Sequence, residues 1–163
     1  MMWYGVGLCL WGAVGFGRAK LTSASRISTL LGILGTINGF YTIMANVTGD
    51  PNTSWFVGLL LCIFGSAFMS AGLCSFKETD FSGHGWLALA EDIAVSWYVW
   101  WFWHLGMPTW AILELTWAVA FALFGWWSLK GTGVKAIGIY MFLDGIFSLI
   151  LPALYLITGQ IFL

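Results

Sequence analysis

Six mostly apolar stretches, separated by short connections, constrain this chain more than any other feature. They run over 2–17, 27–47, 55–76, 86–105, 109–129 and 136–162. A bilayer-crossing helix needs about 20 such residues, and all but the first stretch, bounded by Arg18, approach or exceed that length. The connections are brief: Arg18 to Arg26, Thr48 to Ser54, Lys77 to Gly85, Gly106 to Pro108 and Lys130 to Lys135. Pro51 and Pro108 sit in connections, where a helix breaker belongs, whereas Pro152 falls inside the sixth stretch and predicts a kink there. Charged residues make up 8% of the chain against about 25% in an ordinary globular domain. A surface so poor in charge must face lipid. The expected fold is therefore an all-α membrane protein of six transmembrane helices in one domain, residues 1–163, with no room for a soluble one.

The basic residues orient it. Arg18, Lys20 and Arg26 lie in the first connection, Lys77 in the third, Lys130 and Lys135 in the fifth, and the second and fourth hold none. Positive charge collects on the cytoplasmic side, so both termini are expected outside. Trp97, Tyr98, Trp100, Trp101 and Trp103 then suit an aromatic belt at the outer interface. A net charge of -1 offers nothing to nucleic acid. Cys9, Cys62 and Cys74 sit in apolar runs and read as small hydrophobes.

Asn38, Asp92 and Asp144 recur at about a third of the chain length, which suggests three helical hairpins around a pseudo-threefold axis. Four carboxylates, Glu91, Asp92, Glu114 and Asp144, fall within predicted spans. Such groups face a bundle interior or a wet cavity, because a charge in hydrocarbon is costly. No catalytic constellation is visible. His84 falls in a cytoplasmic connection and His104 at an outer helix end, with no nucleophile or ligand cluster beside either. Neither an enzyme, nor a metal, nor a cofactor is expected. Gly5, Cys9, Ala13 and Gly17, and Gly35 with Gly39, have the spacing of helix-packing stripes. Ser66 and Ser70 share that spacing, so packing and a pore role compete there. Glu114, Trp117 and Phe121 share one helix face, as do Trp3, Val6 and Leu10.

The stretch Trp110-Ala-Ile-Leu-Glu-Leu-Thr-Trp117-Ala-Val-Ala-Phe121, with Asp144-Gly145 and Pro152 after it, resembles the end of the AmiS/UreI amide and urea channels. The closing Leu-x-x-Gly159-Gln160 is similar to the amide-channel branch, and Val6-Gly7 with the turn to Lys20 is similar to the family's first hairpin. The resemblance implies a six-helix protomer with outward termini in the cytoplasmic (inner) membrane. It implies a homo-hexamer whose protomers each pass urea or short aliphatic amides, such as acetamide, by passive diffusion through a central pore. Carried over by position, the apolar and aromatic constrictions fall on Trp3, Val6 and Leu10 and on Trp117, Ala120 and Phe121. The acidic pore residue falls on Asp144. Two aromatic constriction positions of the third helix fall on Ser66 and Ser70, a departure that would wet the pore. Glu91, Asp92 and Glu114 are further departures, placed in the pore or its vestibule.

A slot lined by rings passes a flat neutral solute while ions lose hydration they cannot recover there. The alternative from another class is a proton- or cation-coupled transporter using the intramembrane carboxylates. A third is an assembly subunit without a pore, built on the packing stripes.

Overall fold

The computed structural model describes residues 2–76 and 81–157, all helical apart from connections. The helices are α1 (Met2–Gly15), α2 (Leu21–Met44), α3 (Pro51–Phe76), α4 (Ser82–His104) and α5 (Pro108–Lys130). A sixth, α6, is built from Val134–Asp144, a π-helical turn Gly145–Ile150 and Leu151–Ile157. Lys77, the Gly159-Gln160 pair and the last residues of the sixth apolar run lie outside the described residues. Among the described residues, α2, α3, α5 and α6 are long and apolar enough to cross a membrane; α1, at 14 residues, is shorter.

The boundaries have local causes. Pro108 opens α5 where its missing N–H has no partner to lose, and Gly131 closes it with a φ of 64°. Asp50 precedes Pro51 and takes the Thr53 N–H at 2.7 Å, capping α3. Pro152 removes an N–H and crowds the Ser148 carbonyl one turn back. The π turn absorbs this, and Ser148 Oγ donates to the Asp144 carbonyl at 2.6 Å within it. Every helix after α1 starts earlier than its apolar run suggests, α2 by six residues and α3 and α4 by four each. Arg26 lies inside α2, and His84 lies inside α4 rather than in a connection.

The helices associate in three close antiparallel pairs: α2 with α3, α4 with α5, and α6 with α1. Glycine permits each approach. A Cβ on Gly12 would stand 2.7 Å from the Gly138 carbonyl, one on Gly32 2.6 Å from the Gly65 carbonyl, and one on Gly125 3.1 Å from the Gly85 carbonyl. The looser contacts are α1 with α2, α3 with α4, and α5 with α6. Helices consecutive within a sequence repeat therefore meet at open seams, and the tight pairs straddle the repeats. Gly32, Gly85 and Gly138 are spaced at 53 residues, and so are Asn38, Glu91 and Asp144. The repeat thus runs through Glu91, not its neighbour Asp92.

Apolar residues cover the outside on every face; Ile93 is 74% exposed and Phe147 63%. The core is aromatic and axial, built by Tyr4, Trp11, Phe64, Phe68, Trp117, Phe121 and Phe124.

Candidate functional site

The odd-numbered helices turn one face to the axis in a common register. Tyr4, Val57 and Trp110 are spaced at 53 residues, as are Trp11, Phe64 and Trp117. Tyr4, Val57 and Trp110 help line a vestibule of about 340 Å³, with Leu61, Phe64, Trp101, Glu114 and Trp117 among its other walls. The vestibule sits at the starts of α3 and α5 and the end of α4, opposite the basic connections.

Beneath it the space narrows to a cavity of about 20 Å³, lined by Leu8, Phe64, Phe68, Trp117, Ala120, Phe121, Phe124 and Met141 among others. That is room for little more than one water. Phe64 and Trp117 belong to both spaces and form the boundary. Their rings meet edge to face, with centroids 5.1 Å apart, and Phe64 meets Phe121 in the same way at 5.3 Å. The Trp117 indole is fixed by its N–H donating to Ser148 Oγ at 2.7 Å. Below the cavity, Trp11 packs on Phe124 at 5.2 Å and Trp127 at 6.3 Å, and its N–H donates to Ser28 Oγ at 3.0 Å. The His84 ring, 1% exposed, stands against Phe124 at 4.7 Å.

Of the residues expected at constrictions, Trp117, Ala120 and Phe121 line the narrow cavity together. Trp3, Val6 and Leu10 do not. Trp3 is 66% exposed, Val6 is exposed and Leu10 half-buried, while Tyr4, Leu8 and Trp11 occupy the inner face. The inner face of α1 therefore lies one to two residues further along the helix than expected. Ser66 and Ser70 are corrected in the same sense. Phe64 and Phe68 are the ring-bearing residues of α3 on the axis, and the serines look toward α4. The aromatic positions expected to be missing are filled two residues earlier.

The seams hold the remaining polar residues. Ser66 Oγ donates to Glu91 at 2.5 Å and Ser70 Oγ meets His84 Nδ1 at 2.8 Å, so two serines one turn apart on α3 face two groups two turns apart on α4. Glu91 is buried with one oxygen unbonded, and Asp92 beside it is half-buried. Asp144 is buried as expected, but it lines a lateral groove with Thr116, Tyr140 and Ser148 rather than the axial cavity. Asn38 lines the groove between α1 and α2. Glu114 alone among these acidic groups faces the vestibule, and neither of its oxygens has a hydrogen-bond partner among the described residues. No cluster of metal-ligating side chains occurs among the described residues.

Tyr4, Leu8, Phe64, Phe68 and His84 escaped sequence reasoning. The signal that finds the first four is the 53-residue register, which aligns Trp11 and Phe64 with Trp117.

Comparison with curated proteins gives no match. Among solved structures, the fold is similar to the urea channel of Helicobacter pylori, both in its closed state by cryo-electron microscopy and in a crystal structure. The first has a TM-score of 0.85 at 18% identity, covering 99% of this chain and 97% of that one. The second has a TM-score of 0.85 at 18% identity, covering 98% and 96%. At this identity the likeness establishes a shared fold. The family model for AmiS/UreI family transporters matches residues 1–160, and the chain belongs to that family of transporters.

Proposed function

We propose that the chain is a passive channel for small, flat, neutral amides, meaning urea and short aliphatic amides such as acetamide. One observation supports this above the others: a roomy vestibule and a narrow aromatic cavity lie in series and share Phe64 and Trp117 as their boundary. Apolar rings leave an ion without substitutes for its hydration shell, whereas a planar neutral solute can slide between them. The cavity is tighter than such a solute, so passage requires the Phe68 and Phe121 rings to move aside.

In this reading all six helices cross the cytoplasmic membrane. Both termini lie outside, and Arg18, Lys20, Lys130 and Lys135 face the cytoplasm. The vestibule opens outward. The pore-lining set is Leu8, Phe64, Phe68, Trp117, Ala120 and Phe121, with Tyr4 and Glu114 above it and Trp11 below. The apolar outer faces meet lipid and neighbouring copies in a homo-hexamer.

A coupled carrier is the second reading, and it is favoured by the Glu91–Ser66 and His84–Ser70 bonds along the α3–α4 seam. Solute uptake into proteoliposomes separates the two. A channel equilibrates urea or acetamide without any ion gradient and is indifferent to an imposed one. Uptake that depends on a proton gradient would establish the carrier instead.

A further inference from the structure

We infer that Glu114 selects the solute in the vestibule, by accepting two parallel N–H bonds from one edge of a planar molecule. Urea presents such a pair and acetamide does not. This rests on the channel reading above and names the solute class that its outer site prefers.

The geometry around Glu114 is unusual for a carboxyl group. The residue is 0% exposed, and neither oxygen is hydrogen-bonded within the described residues. Its neighbours along the vestibule are apolar or already engaged. The Tyr4 hydroxyl donates to the Leu61 carbonyl at 2.8 Å, and the Trp117 N–H is held by Ser148. A buried carboxyl without donors is unfavourable unless something supplies them. The space it lines, about 340 Å³, is where that donor would come from.

The internal repeat provides an independent argument. The positions corresponding to Glu114 in the other two repeats, at the same 53-residue spacing, are Leu61 and Leu8. Both are leucines on the axial face, Leu61 in the vestibule and Leu8 in the narrow cavity. The bundle therefore packs an aliphatic side chain at this height twice, and the fold does not require a carboxyl group at the third. Glu114 breaks the repeat at a position that lines an open space.

The chemistry follows from the two free oxygens. Each of urea's two nitrogens carries an N–H directed away from the carbonyl, and these two bonds run side by side. They match a carboxylate fork in the way a guanidinium does, though without its charge. Acetamide has nearly the same size and planarity but a methyl in place of one amino group, so it offers that fork a single nitrogen. The aromatic walls then hold the flat face of the solute, weakly enough for it to pass on.

The test is the ratio of urea to acetamide flux in proteoliposomes at pH 7.5 for wild type, Glu114→Gln and Glu114→Leu. Glutamine keeps the size but leaves one acceptor oxygen, and leucine matches the residues of the other two repeats. Loss of one or both acceptor oxygens should lower the ratio about fivefold or more in both variants. A size-matched pair of solutes makes the ratio insensitive to a general change in pore width. A ratio within about twofold of wild type in every variant that folds, or one that rises, overturns the inference. If wild type passes neither solute faster than protein-free vesicles, the channel reading falls and this role falls with it. If both pass but their ratio ignores Glu114, only this role falls.

Discussion

The axis of the bundle and its lateral seams treat polar groups in opposite ways. Along the seams, polar side chains find one another: Ser66 bonds Glu91, Ser70 meets His84, and the Tyr98 and Tyr140 hydroxyls donate to the Phe56 and Thr116 carbonyls at 2.9 and 2.8 Å. On the axis, indole N–H groups are tied down by serines behind them, and the rings face inward. The Glu114 carboxyl has no partner at either oxygen among the described residues, whereas Glu91, Asp144 and His84 in the seams each leave one atom unbonded. Paired polar groups hold helices together in a medium that offers them no water. An unpaired one beside open space is available to a passing molecule. The seams thus read as structure and the axis as the route, although the seams contain more ionisable groups.

The contrast can be broken most severely at the tight pairs. Gly32→Leu would drive a side chain into the Gly65 carbonyl and the α3 backbone, and overpacking of this kind costs about 3 kcal/mol or more. We expect loss of the folded protein by size-exclusion profile. Gly83→Ala, with nothing within 4 Å, should leave it unchanged. Equal behaviour of the two would remove glycine packing as the source of the pairing.

On the axis, the double change Phe64→Ala and Phe121→Ala removes two rings at the boundary of the narrow cavity. It should raise butyramide flux at least about tenfold while raising urea flux less, equivalent to removing about 1.4 kcal/mol of barrier for the larger solute. A graded amide series with unchanged permeabilities would contradict the axial route.

In the α3–α4 seam, Ser66→Ala leaves the buried Glu91 carboxyl with no donor from α3. The expected cost is about 1–3 kcal/mol in stability, read as a lower Tm, with urea flux within about twofold of wild type. A collapse of flux with no change in Tm would move the pathway to the seam and favour the coupled carrier.

The smallest effect belongs to the rim. Hydrogen bonds from the Thr53 hydroxyl and backbone N–H hold the exposed Asp50 carboxyl below the usual carboxylate range. A depressed value stabilises the folded form above the unfolded pKa near 3.9, and that contribution is lost as pH falls through the folded value. Asp50→Ala should therefore lower Tm slightly and by a constant amount from pH 8 to about pH 5, with the gap closing only in stronger acid. A gap that closes near neutrality would show that Asp50 is not the capping charge.

Much of this architecture was legible in the sequence because hydrocarbon demands long apolar runs. The helix count followed from run length alone, and the Trp117–Phe121 face from helical spacing, whereas Pro51 and Pro108, expected in connections, are the first residues of α3 and α5. What the residues concealed was which face of each helix turns inward. In α1, Trp3, Val6 and Leu10 and the stripe Tyr4, Leu8 and Trp11 are both apolar at helical spacing, so amphipathicity cannot choose between them. In α3 the positional resemblance put Ser66 and Ser70 at the constriction, while their spacing left packing open; in a membrane a polar side chain serves a neighbouring helix as well as a channel, and here both serines bond to α4. His84 was hidden by the polar start of α4, which shortened the apparent apolar run.

The most direct test of the axial route compares two cysteines by modification with a bulky thiol reagent. One is Leu61→Cys in the vestibule, in a background with Cys9, Cys62 and Cys74 replaced by alanine; the other is the native Cys62, which lines the groove toward α4, with Cys9 and Cys74 alone replaced. The axial account predicts that labelling at position 61 blocks urea flux and that labelling Cys62 leaves it intact. Block through Cys62 with free passage past a labelled position 61 would contradict it.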